Sequence, residues 1–139
     1  MSCIFFYGLF MDADLLREKG LHPKLVGAAE LPGYQMHVGN RATLIPKSQS
    51  TSYGMLIDLA EEDALALYSA PDVRDYRPEK VNAILLHDRT IQPSLCYNLP
   101  ADKLDGGINP EYATRLSALI LRLGFPSAYA SEITRRSDT

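Results

Sequence analysis

A chain of 139 residues, 46% hydrophobic and 22% charged, is long enough for one domain with its own apolar core and too short to divide comfortably into two, so a single domain over 1–139 is expected. The formal net charge of −3, with acids and bases interspersed, lacks the basic stripe that phosphate backbones require, which excludes nucleic acid as the expected partner. No apolar run approaches the roughly 18 residues of a membrane span, and the N-terminal run has neither a basic stretch before it nor a small-residue cleavage pattern after it, so a cytoplasmic protein with no membrane partner is expected.

The chain opens with "CIFFYG", a short apolar and aromatic run of the kind that forms a buried strand, and "MDADLLREKG" then switches to helical spacing with Asp12 as N-cap and Gly20 as stop. In "KLVGAAELPGYQMHVG" proline and glycine punctuate two apolar stretches, which predicts two strands joined by a turn at Leu31-Pro32-Gly33. "ATLIPKSQSTS" reads as a strand that ends in a polar loop. "YGMLIDLAEEDALALYSA" reads as a strand through Ile57, with Asp58 or Leu59 opening a helix whose acidic first turn, Glu61 to Asp63, suits a helix N-terminus. That helix is expected to end near Ser69, before Pro71. Val81 to Leu86 and Ile91 to Tyr97 are apolar-rich stretches on either side of "HDRT", a hairpin pattern. "NPEYATRLSALILRLG" carries the clearest helix signal, with Asn109 as cap, Pro110 in the first helical position and Leu116, Leu119, Ile120 and Leu123 at helical spacing. "FPSAYASEITRR" predicts a shorter closing helix. Five to seven short strands with three or four helices make an α+β domain.

Chemistry-bearing residues are sparse. Cys3 and Cys96 are far apart and not near a histidine at metal-ligand spacing, so no metal site is expected and both read as small apolar residues. His22, His37 and His87 are scattered, without a nucleophile signature beside them. The break at Gly8 is the informative feature. A glycine directly after a strand and before a helix lets the chain turn sharply and aim successive amides into one space, where a carboxylate can sit. The same glycine serves equally as plain punctuation.

"YGLFMDADLL" resembles the Tyr-Gly-Ser-Asn-Leu turn that opens the γ-glutamylcyclotransferase-like family. Four further stretches resemble that family in the same order. These are "AELPGYQM" before its second strand, "SYGMLIDLAEEDALALYSA" for its Val-x-Gly-x-Leu-Tyr strand and helix, "YRPEKVNAI" for its Tyr-Arg-x-x-x-Val strand, and "NPEYATRLSALILRLGFPSAY" for its closing helix. The resemblance implies a small mixed β-barrel flanked by helices, with a cavity lined by the first turn. It also implies a chemistry: cyclisation of a γ-glutamyl amine or amide to 5-oxoproline with release of the amine, needing no cofactor and no metal. The implied partner is a small γ-glutamyl or carboxylate ligand. A homo-oligomer is left open, with no residue pattern that demands one.

Carried over by position, Tyr7 and Gly8 match the family, while Leu9, Phe10 and Met11 stand where it has Ser, Asn and Leu, which implies a drier or differently shaped pocket. Tyr76 and Tyr112 match family tyrosines near the cavity. The family's carboxylate lies in Leu-Asp-x-x-Glu-Gly, and "LYSAPDV" puts Tyr68 at its aspartate and Pro71 at its glutamate. Asp72, one position on, is the candidate catalytic acid, although Pro-Asp is also ordinary turn chemistry. Arg41 and Arg77 are candidates for pairing with a ligand carboxylate, set against a plain surface role. Two functional readings follow. One is a cyclising enzyme that uses Asp72 or a displaced acid; the other is a non-catalytic carboxylate-binding protein that has lost the proton-transfer group.

Overall fold

The computed structural model describes residues 2–104, 107 and 109–137. Strand β1 (Ser2–Phe6) buries Ile4, Phe5 and Phe6 and is followed by a single 3-10 turn at Leu9–Met11 and helix α1 (Ala13–Glu18). Asp12 caps α1 as its position predicts, its side chain accepting the Asp14 amide at 3.0 Å. Strands β2 (Lys24–Val38) and β3 (Ala42–Leu59) form a long antiparallel hairpin. Helix α2 (Glu61–Leu67) leads to the hairpin of β4 (Arg77–Leu85) and β5 (Ile91–Asn98), and α3 (Pro110–Arg122) and α4 (Ser127–Ser137) close the chain. Asn109 caps α3, accepting the Tyr112 amide at 3.1 Å, with Pro110 in the first turn.

The five strands close into a barrel in the order β1-β3-β2-β4-β5. Four of the pairings are antiparallel, and closure is parallel, with Ile4 of β1 beside Leu95 of β5. The sheet is therefore mixed, and the fold is the α+β barrel that the resemblance implies. Ile4, Leu56, Ile57 and Leu59 are fully buried with Leu116, Ile120 and Ile133 of the two closing helices, in one continuous core. β3 approaches β1 so closely at Gly54 that a Cβ there would overlap the Phe6 carbonyl oxygen and the Phe5 ring. Among the described residues no helix is long and apolar enough to cross a membrane.

Three sequence expectations are corrected. The turn expected at Leu31-Pro32-Gly33 is a bulge within one continuous strand: the register shifts between Pro32 and Tyr34, and Gly33 takes φ +84°. A bulge is a place where a sheet tolerates a proline, which has no N–H to give, and a glycine that adopts positive φ. The polar loop expected after "ATLIP" also lies within a strand. Pairing passes from Tyr34–Pro46 to Pro32–Thr51, so residues 47–50 swell out of the ladder opposite Gly33 with Lys47, Ser48 and Gln49 exposed. Finally, β3 runs through Asp58 and Leu59, paired to Cys3 and Ser2, so α2 starts at Glu61 behind Ala60 and not at Asp58 or Leu59. Pairing with β1 and complete burial of Leu59 outweigh the acidic helix-start pattern there.

Candidate functional site

The first turn lies at the barrel end where β1 and β5 both finish. Gly8 has φ −99° and ψ −153°, extended backbone open to any residue, so positive φ is not what demands glycine here. The reason is proximity: a Cβ on Gly8 would stand 3.1 Å from the hydroxyl of Tyr112 on α3. The hollow of converging amides read from the sequence is thus partly filled by protein, the Tyr112 phenol standing close over the turn. Burial pushes the Tyr112 phenol up to about 12, against a smaller downward pull from nearby Arg115.

A cavity of about 440 Å³ opens beside this turn. Tyr7, Gly8, Leu9, Phe10, Asp72, Tyr76 and Tyr112, singled out from the sequence, all line it. Their roles differ. Tyr7 is buried and donates its hydroxyl proton to the Tyr97 carbonyl at 2.7 Å, and Tyr76 donates to the Ala42 carbonyl at 2.5 Å. Both phenols are thereby committed to fixing loops. Desolvation holds the Tyr7 phenol far above its usual range, so it is a neutral brace.

Leu9 and Phe10 face the cavity. Phe10 meets Phe6 and Tyr68 edge-on, each at a 6.1 Å centroid distance. Tyr68 stacks on Tyr97 at 3.9 Å with the rings within 8° of parallel, and leans on Tyr76 at 6.2 Å. One wall is therefore continuous aromatic surface.

Charge enters at the rim. Among the described residues, Lys19, Arg41 and Arg115 line the cavity with one carboxylate, Asp72. Arg41 bridges two loops, donating to the Asp72 main-chain carbonyl at 3.3 Å and pairing with Asp75 at 3.4 Å. Lys19 stands 5.9 Å from the centre of the Phe10 ring. Asp72 itself is exposed, in a turn held by Val73 and Arg74 amides on the Ala70 carbonyl. Pro71 is also exposed. Arg77 is used elsewhere, on the carbonyls of Arg74 and Tyr76.

Two further acids, Glu30 and Glu79, are engaged away from the cavity. Glu30 pairs with Arg89 at 2.5 Å, and Glu79 accepts from the side chain of Asn98. Asn98 also accepts the Leu44 amide at 3.1 Å, while the Thr43 hydroxyl takes the Leu99 amide at 2.9 Å. This buried set fixes β5 behind Tyr97. Sequence reading did not mark Lys19 or Arg115 as site residues. Arg115 had a usable signal, since it lies three residues after Tyr112 and so shares its helix face.

The sequence matches no protein-family model and no curated protein. Solved structures do match. One named gamma-glutamyl cyclotransferase superposes with TM-score 0.80 at 14% identity, covering 95% of this chain and 85% of that one. YkqA from Bacillus subtilis gives 0.79 at 20% identity, covering 99% of this chain and 54% of that one, so the present chain spans about half of YkqA. An AIG2-like protein from Mus musculus gives 0.60 at 15% identity, over 91% and 86% of the two chains. What is shared at these identities is the fold, and it is the γ-glutamylcyclotransferase-like α+β barrel.

Proposed function

We propose that the cavity binds a small γ-glutamyl compound by its carboxylate, and that the protein acts as a binding protein on this fold, without the usual proton-shuttling acid. The observation that carries the reading is a grouping on one cavity: the Tyr112 hydroxyl close over the Gly8 turn, with the Arg115 guanidinium near enough to pull against the rise in its pKa. A carboxylate placed there accepts the phenol proton and meets a cation, a charge-assisted arrangement of the stronger kind. The γ-glutamyl part of the reading comes from the solved structure named gamma-glutamyl cyclotransferase. The acid expected from the family position is replaced by Pro71, and a proton shuttle works best desolvated and close to its substrate, whereas Asp72 is exposed.

Because Asp72 lines the same cavity, cyclisation is the second reading. In it the ligand's α-amine attacks its own γ-carbonyl, a ring C–N bond forms and the amide C–N bond breaks. Asp72 takes a proton from the attacking ammonium and returns it to the departing amine. Incubation with a panel of γ-glutamyl dipeptides, with 5-oxoproline quantified and binding measured by calorimetry, tests both. Saturable binding without 5-oxoproline is the expected result. Turnover that Asp72→Asn lowers by about 10²-fold or more would establish the second reading in its place, and neither binding nor product would remove both.

A further inference from the structure

We infer that the preferred ligand is a γ-glutamyl amide whose amine carries an aromatic or bulky apolar group, the group lying against the Phe10–Tyr68–Tyr97 wall. The inference rests on the γ-glutamyl reading above and concerns what the far half of the same cavity accepts.

Three observations lead to it. The cavity of about 440 Å³ equals roughly fifteen waters of liquid volume, more than a γ-glutamyl group occupies, so a substantial second part of the ligand is accommodated. The polar anchors stand at the Tyr112 end and the rim, while the wall is built of ring faces and edges: Phe10 edge-on to Tyr68, and Tyr68 stacked on Tyr97. The hydroxyls of Tyr7 and Tyr76, which would otherwise make this region polar, are turned onto main-chain carbonyls. A small amine placed there would lose hydration with little apolar surface to bury in return. A ring placed there gains apolar burial and edge-to-face contacts.

Charge points the same way. Arg115 suits the carboxylate of the glutamyl part, and Lys19 stands over the Phe10 ring. They repel a second ammonium, so the amine side chain is expected to be uncharged.

The experiment compares two amides on the unmodified protein by titration calorimetry, γ-glutamylphenethylamide and γ-glutamylmethylamide, which share the glutamyl group and differ in the amine. The phenethyl compound is expected to bind at least about tenfold more tightly, since burying even half of a phenyl ring is enough for that ratio. Phe10→Ser should reduce the ratio to about threefold or less, with the larger loss falling on the phenethyl compound. Phe10→Leu, which keeps apolar volume and removes the ring, should give an intermediate ratio, with thermal melts showing both variants folded. Equal affinity of the two amides for the unmodified protein would overturn the inference and leave the γ-glutamyl reading standing. Failure of both amides to bind would overturn that reading, and this one with it.

Discussion

Replacing Gly8 by alanine tests how the first turn is built. An alanine Cβ would stand 3.1 Å from the Tyr112 hydroxyl oxygen, closer than a comfortable carbon–oxygen contact, so the phenol must retreat by a few tenths of an ångström. That retreat disturbs a packed contact, at a cost of about 1 kcal/mol. Tyr112→Phe removes the crowding hydroxyl itself, at a cost of about 1 kcal/mol. In the double variant the crowding atom is absent, so Gly8→Ala adds almost nothing to the cost of Tyr112→Phe. The two changes should therefore couple by about 1 kcal/mol. Urea denaturation followed by circular dichroism measures all four corners of the cycle, and a change of 1 kcal/mol corresponds to about 3–4 °C in Tm for a chain of this size. Costs that add within about 0.3 kcal/mol would refute the contact between glycine and phenol as the reason for Gly8.

Other outcomes follow from the same geometry. Gly54→Ala should cost about 3 kcal/mol or more, or abolish soluble expression, because the new methyl meets the Phe6 carbonyl, which cannot move without breaking β1; chemical denaturation or yield reads this. Asn98→Ala should cost about 2–3 kcal/mol in the same assay, since it strips the Leu44 amide of its partner inside the barrel. In alkali, the folded state keeps the Tyr112 proton up to about pH 12, while the unfolded chain loses it near the ordinary tyrosine value of about 10. Stability is then fully present below pH 10 and falls as pH rises toward 12. Tyr112→Phe should make that fall shallower in denaturation series, and an unchanged slope would count against the burial of this phenol. Arg115→Gln, on an exposed helix face, should leave stability within about 0.5 kcal/mol and weaken binding of γ-glutamyl amides by about tenfold, as expected for losing one charge-assisted contact.

Much of this fold is written locally. The β1 turn, the Asp12 cap, the β4–β5 hairpin and the Asn109-Pro110 start of α3 each depend on neighbours in sequence, and each is where the residues indicate. The long hairpin was less legible, because Pro32-Gly33 has the same composition in a turn and in a bulge. Only pairing with β3, which brings Leu31 inside to 2% exposure, distinguishes them. Barrel closure rests on Ile4 meeting Leu95, about ninety residues apart and invisible to periodicity.

The site divides in the same way. Residues of the first turn were found because glycine interrupts an apolar run. Tyr97 gives no comparable signal, because alternation along β5 shows that it faces away from buried Cys96 and Asn98 but not that Tyr68 stacks upon it. Arg41 acquires its place from two carbonyl and carboxylate partners on a loop some thirty residues later.

The most direct measurement of ligand binding at the first turn is a titration of isotopically labelled protein with a γ-glutamyl amide, following backbone amide resonances by NMR. Saturable shifts should centre on Gly8, Leu9 and Phe10, with Arg115 and the residues around Tyr97 next, and Tyr112→Phe should weaken them. Shifts confined to other faces of the barrel, or none at millimolar ligand, would contradict the proposed binding site.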